Sequence, residues 1–523
     1  MPSLLIHHCT TFSTTPSSNS IVIKKQYRES NRLLPILKIY SDLLEYIFLL
    51  GVSSEDTIQQ RQHAIFSYSQ TCHDWRVVAM SLKSLWATLV DFEVNSEAWN
   101  RELLRRSYPS PIVVGSTAYM HRYSRVISAE LMHLERMRIY RVGFDTSAWD
   151  ILVERLQQPA PHIEYLNLNH VYIHSVDSFI LPSTLFAGHA PHLKRLEMTQ
   201  CLVDFEAPVL RSLTTLSVEY LSVSVAPTPL EWLEHLNHLP SLTSLRLTNS
   251  MRSQGHYTLR TDQVQLSLLS GLNLDARLHD MHIFIDGLNF PVSCALTVSC
   301  SKCYPGPELD IVLLAYLRRL NYAHDLRPES CPFLIHARSS ELIISNNSPG
   351  DSHSNTAEHE PPTLFLNLCL DINFGFELWE SFLTPILSIL GEAFSSFTSL
   401  NIHLPAAHPG LLPYLIRATR LTQLTNVSAT TTKNLLSKIK IIQSSQFVPL
   451  PALRTIVFVD DESMWGAPYQ AFVSFLTWRR NIGYPITRVL FRRCMVLYDT
   501  AQDLGLLGVQ VDCDLEGLRW QQL

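Results

Sequence analysis

Leu193-Lys-Arg-Leu-Glu-Met198, Leu213-Thr-Thr-Leu-Ser-Val218 and Leu242-Thr-Ser-Leu-Arg-Leu247 share one pattern, apolar-x-x-apolar-x-apolar. The same phrase stands upstream at Leu134/Met137/Ile139 and Ile163/Leu166/Leu168, and returns in looser form at Phe397/Leu400/Ile402, Leu453/Ile456/Phe458 and Ile486/Val489/Phe491. Its last two apolar positions alternate with polar ones, as a short strand with one buried face requires. Turn formers precede some copies, as at Pro159-Ala-Pro161 and Ala190-Pro191. Helical patterns lie between copies: Trp149, Leu152, Val153 and Leu156 form one, and Leu230, Leu233, Leu236 and Leu239 another, each followed by proline.

Central positions 137, 166, 196, 216 and 245 are separated by 29, 30, 20 and 29 residues, within or at the margin of the leucine-rich repeat period. One strand and one helix per unit, stacked side by side, predict an α/β chain with a parallel sheet on one surface and helices on the other, a curved solenoid or horseshoe. Between residues 250 and 395 the phrase fades. Strand-like runs remain at Met281 to Ile285, Ala295 to Val298, Leu342 to Ile344 and Leu364 to Leu370, and the polar stretch from Asn346 to Pro362 reads as a loop interrupting the array.

The chain has 523 residues, of which 46% are hydrophobic and 17% charged, so long disorder is excluded and a repeat array or several domains are required. A formal net charge of −6 offers no general attraction to nucleic acid or to anionic membranes. The apolar runs Ile311 to Leu317 and Phe382 to Leu390 are far shorter than the roughly 20 residues of a membrane-spanning helix. Ten scattered cysteines read as reduced and mostly buried. Residues 1–32, rich in Ser and Thr, read as a disordered tail without a targeting pattern, and the expected location is cytoplasmic or nuclear.

Ahead of the repeats, Ser41-Asp-Leu-Leu-Glu-Tyr-Ile-Phe-Leu-Leu50 places Leu43, Leu44, Ile47 and Phe48 along a helix capped by Ser41 or Asp42 and ended by Gly51. A polar run from Ser53 to Gln62 follows, then a helical pattern from Ala64 to Leu82 with Trp75, Val78, Ala79 and Leu82 in phase. Three short helices fit between residues 36 and 90.

Ser69-Gln-Thr-Cys-His-Asp-Trp-Arg-Val-Val-Ala-Met-Ser-Leu-Lys-Ser-Leu-Trp-Ala-Thr-Leu89 resembles the second half of F-box domains, particularly those of mushroom-forming fungi. Ser69, Gln70, Cys72, Trp75, Arg76, Ala79, Ser81, Leu85 and Trp86 fall at that family's pattern positions. The family's first helix opens with Leu-Pro-Pro-Glu-Leu-Leu; here Ile39-Tyr-Ser-Asp-Leu-Leu44 stands in its place, without the prolines. Downstream, Trp99 to Leu104 and Arg105-Arg-Ser-Tyr-Pro-Ser-Pro-Ile-Val-Val114 resemble the helix and first strand that follow the F-box. Leu181-Pro-Ser-Thr-Leu-Phe-Ala-Gly-His-Ala-Pro-His-Leu193 is similar to a repeat connector of such proteins, and Phe472 to Cys494 to their closing repeat.

The resemblance implies a tail at 1–32, an F-box-like helical module at 33–92 and an irregular leucine-rich solenoid at 93–523. It further implies the substrate-recognition subunit of a cullin-type ubiquitin ligase, with no catalytic residues and no cofactor of its own. Ile39, Leu43, Leu44, Ile47, Phe48, Trp75, Leu85 and Trp86 would meet a Skp-type adaptor, and the repeats would hold a protein substrate. A helical stub of about 50 residues gains stability by pairing with another helical protein. The alternative is a leucine-rich scaffold whose degenerate F-box no longer binds the adaptor.

Chemical motifs are sparse. Cys300-Ser-Lys-Cys303 is a single pair with no second pair at zinc-finger distance, and His235 and His238 read as surface histidines. No His-Glu-x-x-His, Gly-x-Ser-x-Gly or Gly-x-x-x-x-Gly-Lys run occurs. Asp460-Asp461-Glu462 reads as a solvated loop and Arg479-Arg480 as the edge or cap of the array. An enzymatic reading would need an unfamiliar site within 250 to 395.

Overall fold

The computed structural model describes residues 38–54, 57–115, 124–171, 179–253, 263–303, 307–326, 333–338, 341–345, 364–370, 399–403, 418–425, 450–459, 467–492 and 498–513, with isolated positions 26, 29, 448 and 494. These residues form a mixed α/β fold with a large, mainly parallel sheet. Two compact units divide the chain: Met1–Leu166 with His189–His192, and Asn167–Gly188 with Leu193–Leu523.

The first unit opens with four short helices, α1 (Ser41–Ser53), α2 (Ile58–Thr71), α3 (His73–Ser81) and α4 (Lys83–Ala87), followed by α5 (Glu97–Ser107). Thr57 and Gln60 close a capping box on α2, which lets it begin inside the run that reads as a polar linker. Cys72 is extended and its thiol caps α3, dividing the single helix expected from Ala64 to Leu82 into two. Nor does Gly51 end α1. The helix continues to Ser53, and a Cβ on Gly51 would lie 2.2 Å from Tyr68 Oη, so glycine here serves a close helix approach.

Phe48 of α1 stacks on Tyr68 at 4.4 Å and meets the Trp75 ring edge-on at 5.2 Å, which anchors α1 to α2 and α3. The Trp86 indole donates to Ala79 O, and the Arg106 guanidinium lies 4.6 Å from the same ring. On α5, hydrogen bonds from Arg105 and Arg106 hold the Glu102 carboxyl down at about 2. Strand β1 (Ile112–Val114) pairs in parallel with β2 (Met137–Phe144), and α6 (Ser124–Leu131) and α7 (Trp149–Arg155) complete the unit. Buried Arg136 donates to Ser110 O, Leu104 O and Ser107 Oγ, tying the start of β2 to the end of α5.

Strand β3 (Tyr165–His170) comes next along the chain. Beyond it the second unit runs β4 (Ile180–Leu181), β5 (Arg195–Thr199), β6 (Leu202–Val203), β7 (Thr215–Glu219), α8 (Pro229–Leu236), β8 (Ser244–Thr248), β9 (Val264–Gln265), β10 (Gly271–Arg277), α9 (Leu278–Asp286), β11 (Leu288–Asn289), β12 (Ala295–Cys303) and α10 (Pro307–Leu326). It continues with β13 (Phe333–Arg338), β14 (Glu341–Ser345), β15 (Leu364–Leu370), β16 (Ser399–His403), β17 (Gln423–Thr425), β18 (Thr455–Val459), α11 (Ala467–Asn481), β19 (Arg488–Arg492), α12 (Tyr498–Leu506) and β20 (Gln510–Cys513). The strand order is β3-β5-β7-β8-β10-β12-β15-β14-β13-β16-β17-β18-β19-β20, with β4-β6 and β9-β11 as short side pairs.

Every copy of the repeated phrase has its last two apolar residues on a strand, and in the second unit those of β5, β7 and β8 align across neighbours, Leu196, Leu216 and Leu245 in one row and Met198, Val218 and Leu247 in the next, with Leu272 and Leu274 of β10 continuing both rows. Both rows are buried. The residue before each strand repeats a second contact. Thr214 and Thr215 both donate their N–H to Lys194 O, Thr243 and Ser244 to Thr214 O, and Ser270 and Gly271 to Thr243 O. Side-chain hydroxyls of Thr214, Thr243 and Ser270 reach the same carbonyls at 3.1, 2.9 and 3.0 Å. At the far end of each strand Gln200, Tyr220 and Asn249 adopt φ of 58°, 56° and 46°, and each donates its N–H to the next strand at 2.8 Å.

Three further expectations change in the second unit. Met281 to Ile285 is helical, within α9, because a short apolar run reads equally as a buried strand or a buried helix, and four of its five residues are buried. The sheet is not wholly parallel: β14 runs antiparallel to both β13 and β15. Phe472 to Cys494 does not close the array, since α12 and β20 follow and β20 pairs with β19. The interruption at 346–362, the acidic run 460–462 and the run 382–390 lie outside the described residues, as does almost all of 1–32.

Candidate partner-docking surface

Helix α1 carries two kinds of apolar residue. Leu44, Phe48 and Val52, spaced by four, are buried against the unit's own core. Leu43, Ile47 and Leu50 remain 55%, 43% and 50% exposed, with Tyr40 and Tyr46 beside them at 80% and 61%. At 3.6 residues per turn these five positions fall in a stripe roughly 120° wide, a width suited to burial against a partner rather than to solvent. Asp42 and Glu45 lie off that stripe on the same helix, which leaves it without charge.

The eight residues singled out from the sequence separate by this geometry. Leu43 and Ile47 are exposed and Ile39 is partly exposed, so they can meet another molecule. Leu44, Phe48, Leu85 and Trp86 are within the core, and half-buried Trp75 turns its ring onto Phe48 and Tyr68. The sequence reading missed Tyr40, Tyr46 and Leu50; the spacing 40, 43, 47 and 50 was the available signal. The start of α1 is weakly specified, because Tyr40 occupies the cap position with no side-chain hydrogen bond.

In the second unit the strand residues that alternate with the buried rows make a polar ribbon. Glu197, Ser217, Arg246 and Asn273 share one register row. Arg195 Nε donates to Glu197 at 2.7 Å, Asn167 Nδ2 donates to Glu197 at 2.6 Å, and Arg246 pairs with Glu219 at 3.2 Å. Burial raises the Asp275 carboxyl above its usual range. This ribbon offers mixed charge and hydrogen-bonding groups on a fixed spacing.

Other candidates resolve into packing. His235 is not a surface histidine: its ring stacks on Phe205 at 4.5 Å and burial lowers its pKa, whereas His238 is exposed. Arg479 is buried and donates to Leu453 O at 3.1 Å, its guanidinium pKa lowered by burial to about 10. Cys201, Cys294, Cys300 and Cys494 are buried, and burial pushes the Cys201 thiol up to about 12, far from thiolate chemistry. Among the described residues no helix is long and apolar enough to cross a membrane. Comparison of the chain with protein-family models and with curated proteins finds no match.

Proposed function

We propose that this chain is the non-catalytic substrate-recognition subunit of a cullin-type ubiquitin ligase, with α1 to α4 as an F-box-like module and the strand-helix repeats as a leucine-rich solenoid. The observation that carries the reading is the uncharged stripe of Tyr40, Leu43, Tyr46, Ile47 and Leu50, on a helix whose Leu44, Phe48 and Val52 are already buried in the unit's own core. A Skp-type adaptor, itself helical, would cover the stripe. The polar ribbon of β5, β7, β8 and β10 would face a protein substrate with paired charges and hydrogen-bonding groups at the fixed spacing of neighbouring strands.

The test is binding of the purified chain to a fungal Skp-type adaptor by calorimetry, beside the Leu43→Asp/Ile47→Asp variant. Both side chains are exposed, so the fold should persist by circular dichroism while two buried carboxylates at the interface weaken binding by at least about 100-fold. Charge at Phe48 would be uninformative, because that ring is the core of the module. A parent chain that is folded and does not bind would favour the second reading, a leucine-rich scaffold whose helical module has lost its adaptor. The uncapped helix start and the Ile39-Tyr-Ser41 sequence in place of prolines support that second reading.

A further inference from the structure

Helix α9 carries His279 and His282 at i and i+3, which sets both imidazoles on one helix face. Glu308, in the first turn of α10, meets them there. His279 Nδ1 lies 2.8 Å from Glu308 Oε1, the two rings are 5.2 Å apart between centroids, and one ligating atom from each side chain lies within 4.8 Å of the other two.

A simple ion pair would account for His279 and Glu308 but not for His282. Its Nδ1 is buried and has no hydrogen-bond partner among the described residues. A buried imidazole nitrogen left in that state is unfavourable, and a cation accepted by the ring would relieve it. The helix start stabilises the negative charge that Glu308 would bring to such a cation. The side chains of His279 and Glu308 keep 40% and 24% of their exposure, so one side of the cluster is open to solvent for entry.

We infer that His279, His282 and Glu308 form a three-ligand site for a divalent transition-metal ion, zinc first. Two imidazoles and one carboxylate suit zinc, whereas calcium and magnesium favour shells made wholly of oxygen. Zinc at about 2.0–2.2 Å from each donor brings the donors to about 3.4 Å from one another, so the widest separation must contract by at most about 1.4 Å. Rotation of partly exposed side chains supplies that movement. The bound ion would join α9 to α10 and keep its fourth position open to water. This site is independent of the adaptor surface, and nothing in the reading of the first unit depends on it.

The experiment is titration of the chelator-treated full chain with cobalt(II), followed by absorption spectroscopy, and with zinc(II), followed by calorimetry. One cobalt per chain is expected, with visible d–d bands and no thiolate-to-cobalt charge-transfer band. His279→Gln, His282→Gln and Glu308→Gln should each weaken zinc binding by at least about tenfold. Failure of the parent to bind either ion stoichiometrically would overturn the inference. So would a charge-transfer band, which would place the metal on some of the ten cysteines, or variants that bind as the parent does. Should a variant fail the circular-dichroism check, X-ray absorption of the zinc-loaded parent decides: two imidazoles and a carboxylate support the site, and any sulfur or a different imidazole count refutes it.

Discussion

His235 shows how one side chain couples the second unit to pH. Its ring lies against Phe205 and edge-on to Trp232, and loss of solvent outweighs the attraction of Glu231, Glu234 and Asp204. The folded pKa therefore lies below the unfolded one, so the unfolded chain binds the extra proton first. The stability this ring contributes is fully present above about pH 6.5 and is lost as pH falls toward the lower folded value. In the first unit His133, also desolvated and repelled by Arg136, adds to the slope in the same direction. Urea midpoints at pH 7.5 and 5.5 should differ for the parent, and the difference should narrow for His235→Phe, which keeps a ring and removes the proton site. An unchanged difference would assign the slope to other groups.

At the scale of elements, the residue after each repeat strand must turn away from the sheet while its N–H still reaches the next strand. Gln200, Tyr220 and Asn249 meet that demand in the left-handed region. Tyr220 is half exposed and contributes little packing, so its backbone dominates the cost of replacing it. Tyr220→Asn should hold or raise stability by up to about 1 kcal/mol, and Tyr220→Val should lower it by about 1–2 kcal/mol, read from urea denaturation. These turns were hard to see in the sequence because glutamine and tyrosine are not turn residues, whereas the leucine rows were legible because burial on one strand face repeats every second residue. On α1 the sequence showed four apolar positions and could not say which pair faces inward. Only the rings of Tyr68 and Trp75, packed on Phe48, decide that. The cluster of His279, His282 and Glu308 escaped because its carboxylate comes from another helix, while a motif scan sees spacing along one.

Across the whole molecule, what the sequence hid most completely was strand direction. The apolar content of Leu342 to Ile344 is that of a strand pointing either way, yet β14 is antiparallel to both neighbours and so links β12 and β15 to β16 and the strands beyond. Ile343 sits midway along it, opposite His336 on one side and Asn367 on the other. Ile343→Pro removes a ladder N–H in the middle of the sheet. Limited proteolysis with mass spectrometry should then show faster cleavage within the paired segments 333–338, 341–345 and 364–370 than in the parent. An identical fragment pattern would show that β14 does not join the two runs. The hydroxyl contacts at the strand starts have the opposite character, since every one is the same bond. Thr243 offers the Thr214 carbonyl what Thr214 offers that of Lys194. Excising residues 214 to 242 would therefore bring Thr243 to Lys194 with no new chemistry at the seam, and a duplication would extend the series as easily. A gene encoding such a chain can lengthen or shorten its product by whole strands, which gives evolution a way to resize the sheet without redesigning it.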